Sequence, residues 1–152
     1  MKRSDRMAPV QRVLGSAERE KARDLGAAQK SLAEAEARLQ ELQRYQDDYL
    51  RDFQQRASAG QSALALRDFQ TFLARLQEAV GQQERVVSQA REAQESSSQQ
   101  WQGAARRVKS VDLVVGRWQQ SERRSEEQAE QKSTDERAQR ATARNDSNGA
   151  MK

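Results

Sequence analysis

Leu66, Leu73, Val80, Val87, Gln94, Trp101, Val108 and Val115 stand seven residues apart, and each has a companion three residues on: Phe69, Leu76, Gln83, Ala90, Ser97, Ala104, Val111 and Trp118. A repeat held through eight heptads lays one narrow stripe along an α-helix and marks a coiled-coil seam. The same spacing runs earlier through Leu14, Lys21, Leu25, Ala28, Leu32, Ala35, Leu39, Leu42, Gln46, Tyr49 and Phe53. Between Phe53 and Phe69 the pattern lapses into small and polar residues around Gly60, which places a turn near residues 55–63 with Ser62 as an N-cap for the second helix. The expected fold is therefore all-α, two long helices in an antiparallel coiled-coil hairpin. Residues whose numbers add to about 120 should face each other, bringing Phe53 to Phe69, Leu39 to Val80 and Leu14 to Val108. Pro9 suits a helix start near residue 10, and helix two must overhang beyond Val111 because no residue of helix one remains to cover it.

Only 35% of the chain is hydrophobic and 33% is charged, a composition that disordered chains share. The periodicity decides for helices. Ala, Gln, Glu, Arg and Lys, which replace core formers here, are good helix formers. Residues 1–120 are expected to form the hairpin, weakest at the polar seam from Gln94 to Gln100, with 121–152 a charged helical extension that frays to a disordered C-terminus.

The sequence has no Cys and no His, which removes disulfides, thiolate chemistry, typical zinc sites and imidazole acid-base work. No cofactor and no metal is expected. The start MKRSDRMAPV lacks an apolar stretch behind its basic residues, and no apolar run nears the roughly 18 residues of a spanning helix, so a cytoplasmic protein is expected. Carboxylate pairs such as Asp47-Asp48 and Glu126-Glu127 fall on solvated helix faces with no cleft to shift their pKa, so the chain is read as a non-enzyme.

Two features point to binding instead. Leu42, Tyr45 and Tyr49 lie opposite Phe72, Leu76 and Ala79, and these six do not all fit one seam, so aromatic surface should be partly exposed near the turn. At the other end, residues 1–30 carry eight Lys/Arg against four Asp/Glu, the whole net charge of +4, and antiparallel pairing sets them against Arg106, Arg107 and Lys109. Such a patch suits an acidic protein surface, an anionic lipid or nucleic acid; the absence of interleaved aromatics makes nucleic acid the minor reading.

The stretch Leu39-Gln-Glu-Leu42-Gln-Arg-Tyr45-Gln-Asp-Asp-Tyr49, followed after the turn by Phe69-Gln-Thr-Phe72-Leu73-Ala-Arg-Leu76-Gln-Glu-Ala79-Val80, resembles the FliJ family of the flagellar type III export apparatus. Length, two-helix layout, basic N-terminus and charged tail agree with it. The resemblance implies a cytoplasmic stalk-like coiled coil, similar to part of the rotary ATP synthase γ subunit. It would bind the hexameric flagellar export ATPase, promote its assembly and activity, contact the export-gate membrane protein FlhA, help escort export chaperones, and sit peripherally at the inner membrane through these partners. It further implies that Leu42, Tyr45, Tyr49, Phe72, Leu76 and Ala79 form the gate contact; Arg38 and Gln83 stand where the family usually carries other residues. The ATPase-binding region would correspond to Val10 to Asp24 with Arg106 to Trp118, and so to Arg12, Arg19, Lys21, Arg23, Arg106, Arg107 and Lys109. Phe72→Asp with Leu76→Asp is expected to weaken gate binding and leave helicity intact. Two alternatives stay open: a coiled-coil adaptor of a non-flagellar type III secretion system, and a basic nucleic-acid-binding hairpin.

Overall fold

A computed structural model describes residues 1–150. A 3₁₀ turn at Asp5–Met7 leads into α1 (Ala8–Ser58, 51 residues) and then α2 (Ala63–Ala150, 88 residues), with no strand among the described residues. The all-α helical hairpin expected from the heptads is the fold that forms. It divides into two compact units, one of residues 17–105 and one combining 1–16 with the segment from 106 onward.

In the 17–105 unit the chain reverses over residues 59–62. The Ala59 and Gly60 amides donate to the Arg56 and Ala57 carbonyls, closing α1, and Gly60 takes φ 84°, a conformation costly to any residue with a Cβ. The Ser62 hydroxyl then accepts from the Ala65 amide at 3.2 Å and caps α2. Phe69, Leu76, Val80 and Val87 of α2 are buried against α1, whose Ala35 is buried and whose Leu32, Leu39 and Leu42 are half-buried. Every seam side chain keeps an edge in solvent, because two helices can cover only one stripe of each other. Where a small and a polar residue face each other, the seam holds differently: Gln83 Nε2 donates to the Ala35 carbonyl at 3.0 Å across the space Ala35 leaves. Trp101 Nε1 donates to Glu18 Oε1 (2.8 Å) and Lys21 Nζ to Gln100 Oε1 (3.1 Å), so cross-helix hydrogen bonds tie the Gln100 end of the polar stretch Gln94–Gln100. Leu66 departs from the seam reading. It is exposed, because the residues it would face, near Gln54, are polar and α1 is about to end.

In the other unit α1 starts at Ala8, two residues before the expected start, with Pro9 in its first turn, where a missing N–H costs nothing. Val115 is buried to 3% exposure, and Leu14, Val108, Val111 and Trp118 are half-buried. The N-terminal segment folds onto α2. Ser4 is 5% exposed; its N–H donates to Glu122 Oε1 (3.0 Å) and its hydroxyl to Glu122 Oε2 (2.6 Å), while Lys2 pairs with Glu126 and the Arg3 guanidinium lies 4.0 Å from the Trp118 ring centroid. The Glu122 carboxylate thereby answers orphan donors and the positive end of the helix dipole at once. From Glu127 to Gly149 every residue of α2 is exposed.

The Ser4 hydroxyl, followed by its amide, holds the Glu122 carboxyl below its usual 4.5, and the hydrogen bond and charge of Glu126 raise Lys2 above its usual 10.5. A lowered acid contributes fully above its usual value and loses that contribution as pH falls through the lowered one; a raised base contributes below its usual value and loses it as pH rises through the raised one. The clasp is therefore expected to be closed from about pH 5 to about pH 10 and to open in acid. The Ser4 amide resonance reports this: it should be constant across that window, move below it, and sit at the open position at neutral pH in Glu122→Gln.

Candidate partner-binding surfaces

The turn-proximal part of the 17–105 unit concentrates the aromatic residues. Phe53 stacks on Phe69 with centroids 3.5 Å apart, Tyr49 stacks on Phe69 at 5.0 Å and tilts against Phe72 at 4.5 Å, and Tyr45 meets Phe72 edge-on at 6.3 Å. Such pairs gain about 0.5 to 1.5 kcal/mol each beyond their buried area, which offsets the thin seam here. The heptad explains the layout. Tyr49, Phe53 and Phe69 occupy seam positions, whereas Tyr45 and Phe72 lie on one flank and so reach outward.

Leu42, Tyr45, Tyr49, Phe72, Leu76 and Ala79 are brought to one region, but their exposure differs sharply. Tyr45 is 54% exposed, Leu42, Tyr49, Phe72 and Ala79 are half-buried, and Leu76 is only 7% exposed. Leu76 is thus a core residue, and a partner can reach it only at its rim. Arg38 is exposed, and Gln83 spends its amide on the Ala35 carbonyl. The same flank continues past Ala79 to Val86, seven residues on and 46% exposed, an apolar neighbour that periodicity would have disclosed had the flank been followed. The opposite flank is polar, with Gln70, Gln77 and Glu84 in series and Arg91 paired to Glu36 at 3.3 Å.

Open recesses adjoin the aromatic rings. One of about 230 Å³ lies between Tyr49, Phe53 and Phe69 with Asp52 and Asp68 on its walls; another is bounded by Tyr45, Asp48, Tyr49 and Asp52. Both are shallow surface hollows without the enclosure that shifts a catalytic pKa.

The seven expected cations divide between the units. In the 17–105 unit Arg19 and Arg23 are exposed and Lys21 is half-buried, donating to Gln100. In the other unit Arg12, Arg106, Arg107 and Lys109 are all exposed. Among the described residues none of the seven forms an ion pair, which leaves their charge open to an outside anion. No group of His, Cys, Asp or Glu among the described residues could hold a metal, and no helix there is long and apolar enough to cross a membrane.

A helical hairpin that offers an exposed aromatic edge and unpaired cations carries the surface features by which proteins bind other proteins. The family model described as flagellar FliJ protein matches residues 2–147, and the chain belongs to that family, whose members are non-catalytic components of the flagellar export apparatus. Comparisons with curated proteins and with solved structures found no match.

Proposed function

We propose that the protein is a central-stalk-like coiled coil of the flagellar export apparatus that binds the hexameric export ATPase and promotes its assembly and activity. In this reading it also contacts the export gate FlhA and helps return export chaperones to use. The observation that carries it is the exposed Tyr45 against the half-buried Phe72 and Tyr49, an aromatic edge on one flank of a hairpin whose other flank is polar along α2. A hairpin with no role for that surface would gain solubility by replacing it. The gate contact is assigned to Leu42, Tyr45, Tyr49, Phe72, Ala79 and the rim of Leu76. The ATPase contact is assigned to Arg12, Arg19, Lys21, Arg23, Arg106, Arg107 and Lys109, whose unpaired charge suits acidic loops of a ring. The segment from residue 121 is read as a charged extension that becomes fully ordered on a partner, since an exposed single helix gains only about 0.2 to 0.5 kcal/mol per i,i+4 pair. Its place is the cytoplasmic face of the inner membrane, reached through these partners.

The test is direct. Purified protein added to its cognate export ATPase is expected to raise the rate of ATP hydrolysis severalfold and shift the enzyme toward the hexamer in sedimentation. Arg106→Glu with Arg107→Glu and Lys109→Glu should remove most of both effects. An ATPase indifferent to the wild-type protein would refute the stalk reading.

A further inference from the structure

The flank that carries Tyr45 and Phe72 is not simply apolar. Asp48 and Asp52 follow Tyr45 and Tyr49 along α1, and Asp68 stands across from them on α2, so the two recesses beside the aromatic rings carry three carboxylates against the single guanidinium of Arg56. That guanidinium is 3.4 Å from Asp52, and Arg51, just outside the recesses, is 3.9 Å from Asp48, so among the described residues Asp68 is the carboxylate of the three without an ion pair. With Arg51 and Arg56 both counted, three carboxylates stand against two guanidiniums, a net charge of −1 on a chain of net charge +4.

The reversal constrains what can lie there. A neutral apolar segment covering Tyr49, Phe53 and Phe69 would strip water from Asp52 and Asp68 and give nothing back, and an acidic one would add repulsion. A Lys or Arg side chain meets both demands: its methylene stem lies on the rings, and its head reaches the carboxylates and the electron-rich ring faces. We propose that the segment docking on this flank is basic, a helix or extended strand of the export gate that sets Lys or Arg side chains against Asp48, Asp52 and Asp68. This assignment rests on the gate reading above and adds the chemistry of the partner to it.

Binding of the purified cytoplasmic part of the gate is measured across a salt series for wild type, for Asp48→Asn with Asp52→Asn and Asp68→Asn, and for Tyr45→Ala. The triple variant is expected to bind about tenfold more weakly at low salt and to lose most of the salt dependence, because rim charges act through screened attraction. Tyr45→Ala should weaken binding and keep the salt slope. A triple variant that binds like wild type with an unchanged slope overturns the proposal.

A second arm is independent of the gate. A helical peptide with Lys at every fourth position and its Glu counterpart are titrated against the labelled chain, with the ring resonances of Tyr49 and Phe69 observed. Shifts with the Lys peptide alone support a cationic occupant, and if the gate does not bind at all they dismiss the gate reading by itself. Equal shifts with both peptides, or none, overturn the proposal. So does self-association abolished by the triple variant, which would make a second copy of this chain the occupant.

Discussion

Leu76→Asp is expected to unfold the turn-proximal unit, whereas Tyr45→Ala is expected to leave its melting almost unchanged. Removing a buried leucine costs about 2 to 5 kcal/mol, and an uncompensated charge in the seam costs several more. A seam in which no side chain is fully buried has little reserve to absorb that. Circular dichroism melts read the difference: Leu76→Asp should lose its cooperative transition at room temperature, and Tyr45→Ala should lose about 1 kcal/mol or less, the value of one edge-on ring contact. Gate affinity should respond in the opposite sense for the exposed residue, falling roughly 10- to 30-fold for Tyr45→Ala. The pair Phe72→Asp with Leu76→Asp, attractive on sequence grounds as a test of docking with helicity intact, therefore tests folding instead. A Leu76→Asp protein with a native melt would show that the seam does not run through this residue.

The largest gain in stability is expected from the opposite kind of change. A Cβ placed on Gly26, Gly81, Gly103 or Gly116 meets nothing within 4 Å, so alanine fits at each without any neighbour moving. Glycine inside a helix is about 1 kcal/mol less favourable than alanine, and these positions are far enough apart for their effects to add. The fourfold variant should gain roughly 3 to 4 kcal/mol and melt about 10 °C higher at 2 to 4 °C per kcal/mol. A melt unchanged by all four would mean that these glycines relieve strain in the folded chain. If the fourfold variant is more stable yet stimulates the ATPase less, one of the four glycine surfaces is where a partner's backbone comes close.

The seam was readable from the sequence because a seven-residue period is a local signal repeated many times, and the facing of Phe53 with Phe69 followed from the turn alone. The aromatic cluster was readable as a region for the same reason. Its division into an exposed Tyr45 and a buried Leu76 was not, since that depends on how far the helices rotate toward each other. The carboxylate rim was not legible because Asp52 and Asp68, which line one recess, come together only across the hairpin. Ser4 and Glu122 are separated by 118 residues and belong to no repeat, so no periodicity could have paired them. The repeat places Gln83 in the seam but does not disclose its partner, the Ala35 carbonyl, because a side-chain bond to a facing backbone leaves no trace in the heptad pattern.

Sequences built on heptads carry a hazard, since sliding one helix by seven residues, about 10.5 Å, restores an apolar stripe to the interface. The turn forbids it here. A slide would move the reversal to residues that carry side chains and would strand Gly60, whose φ of 84° ends α1, within a helix, along with the cap at Ser62. One starting point remains for the 17–105 unit, and a four-residue link closes quickly. Folding should then run as a zipper from Gly60 outward, adding the aromatic stack first and the Trp101–Glu18 bond last.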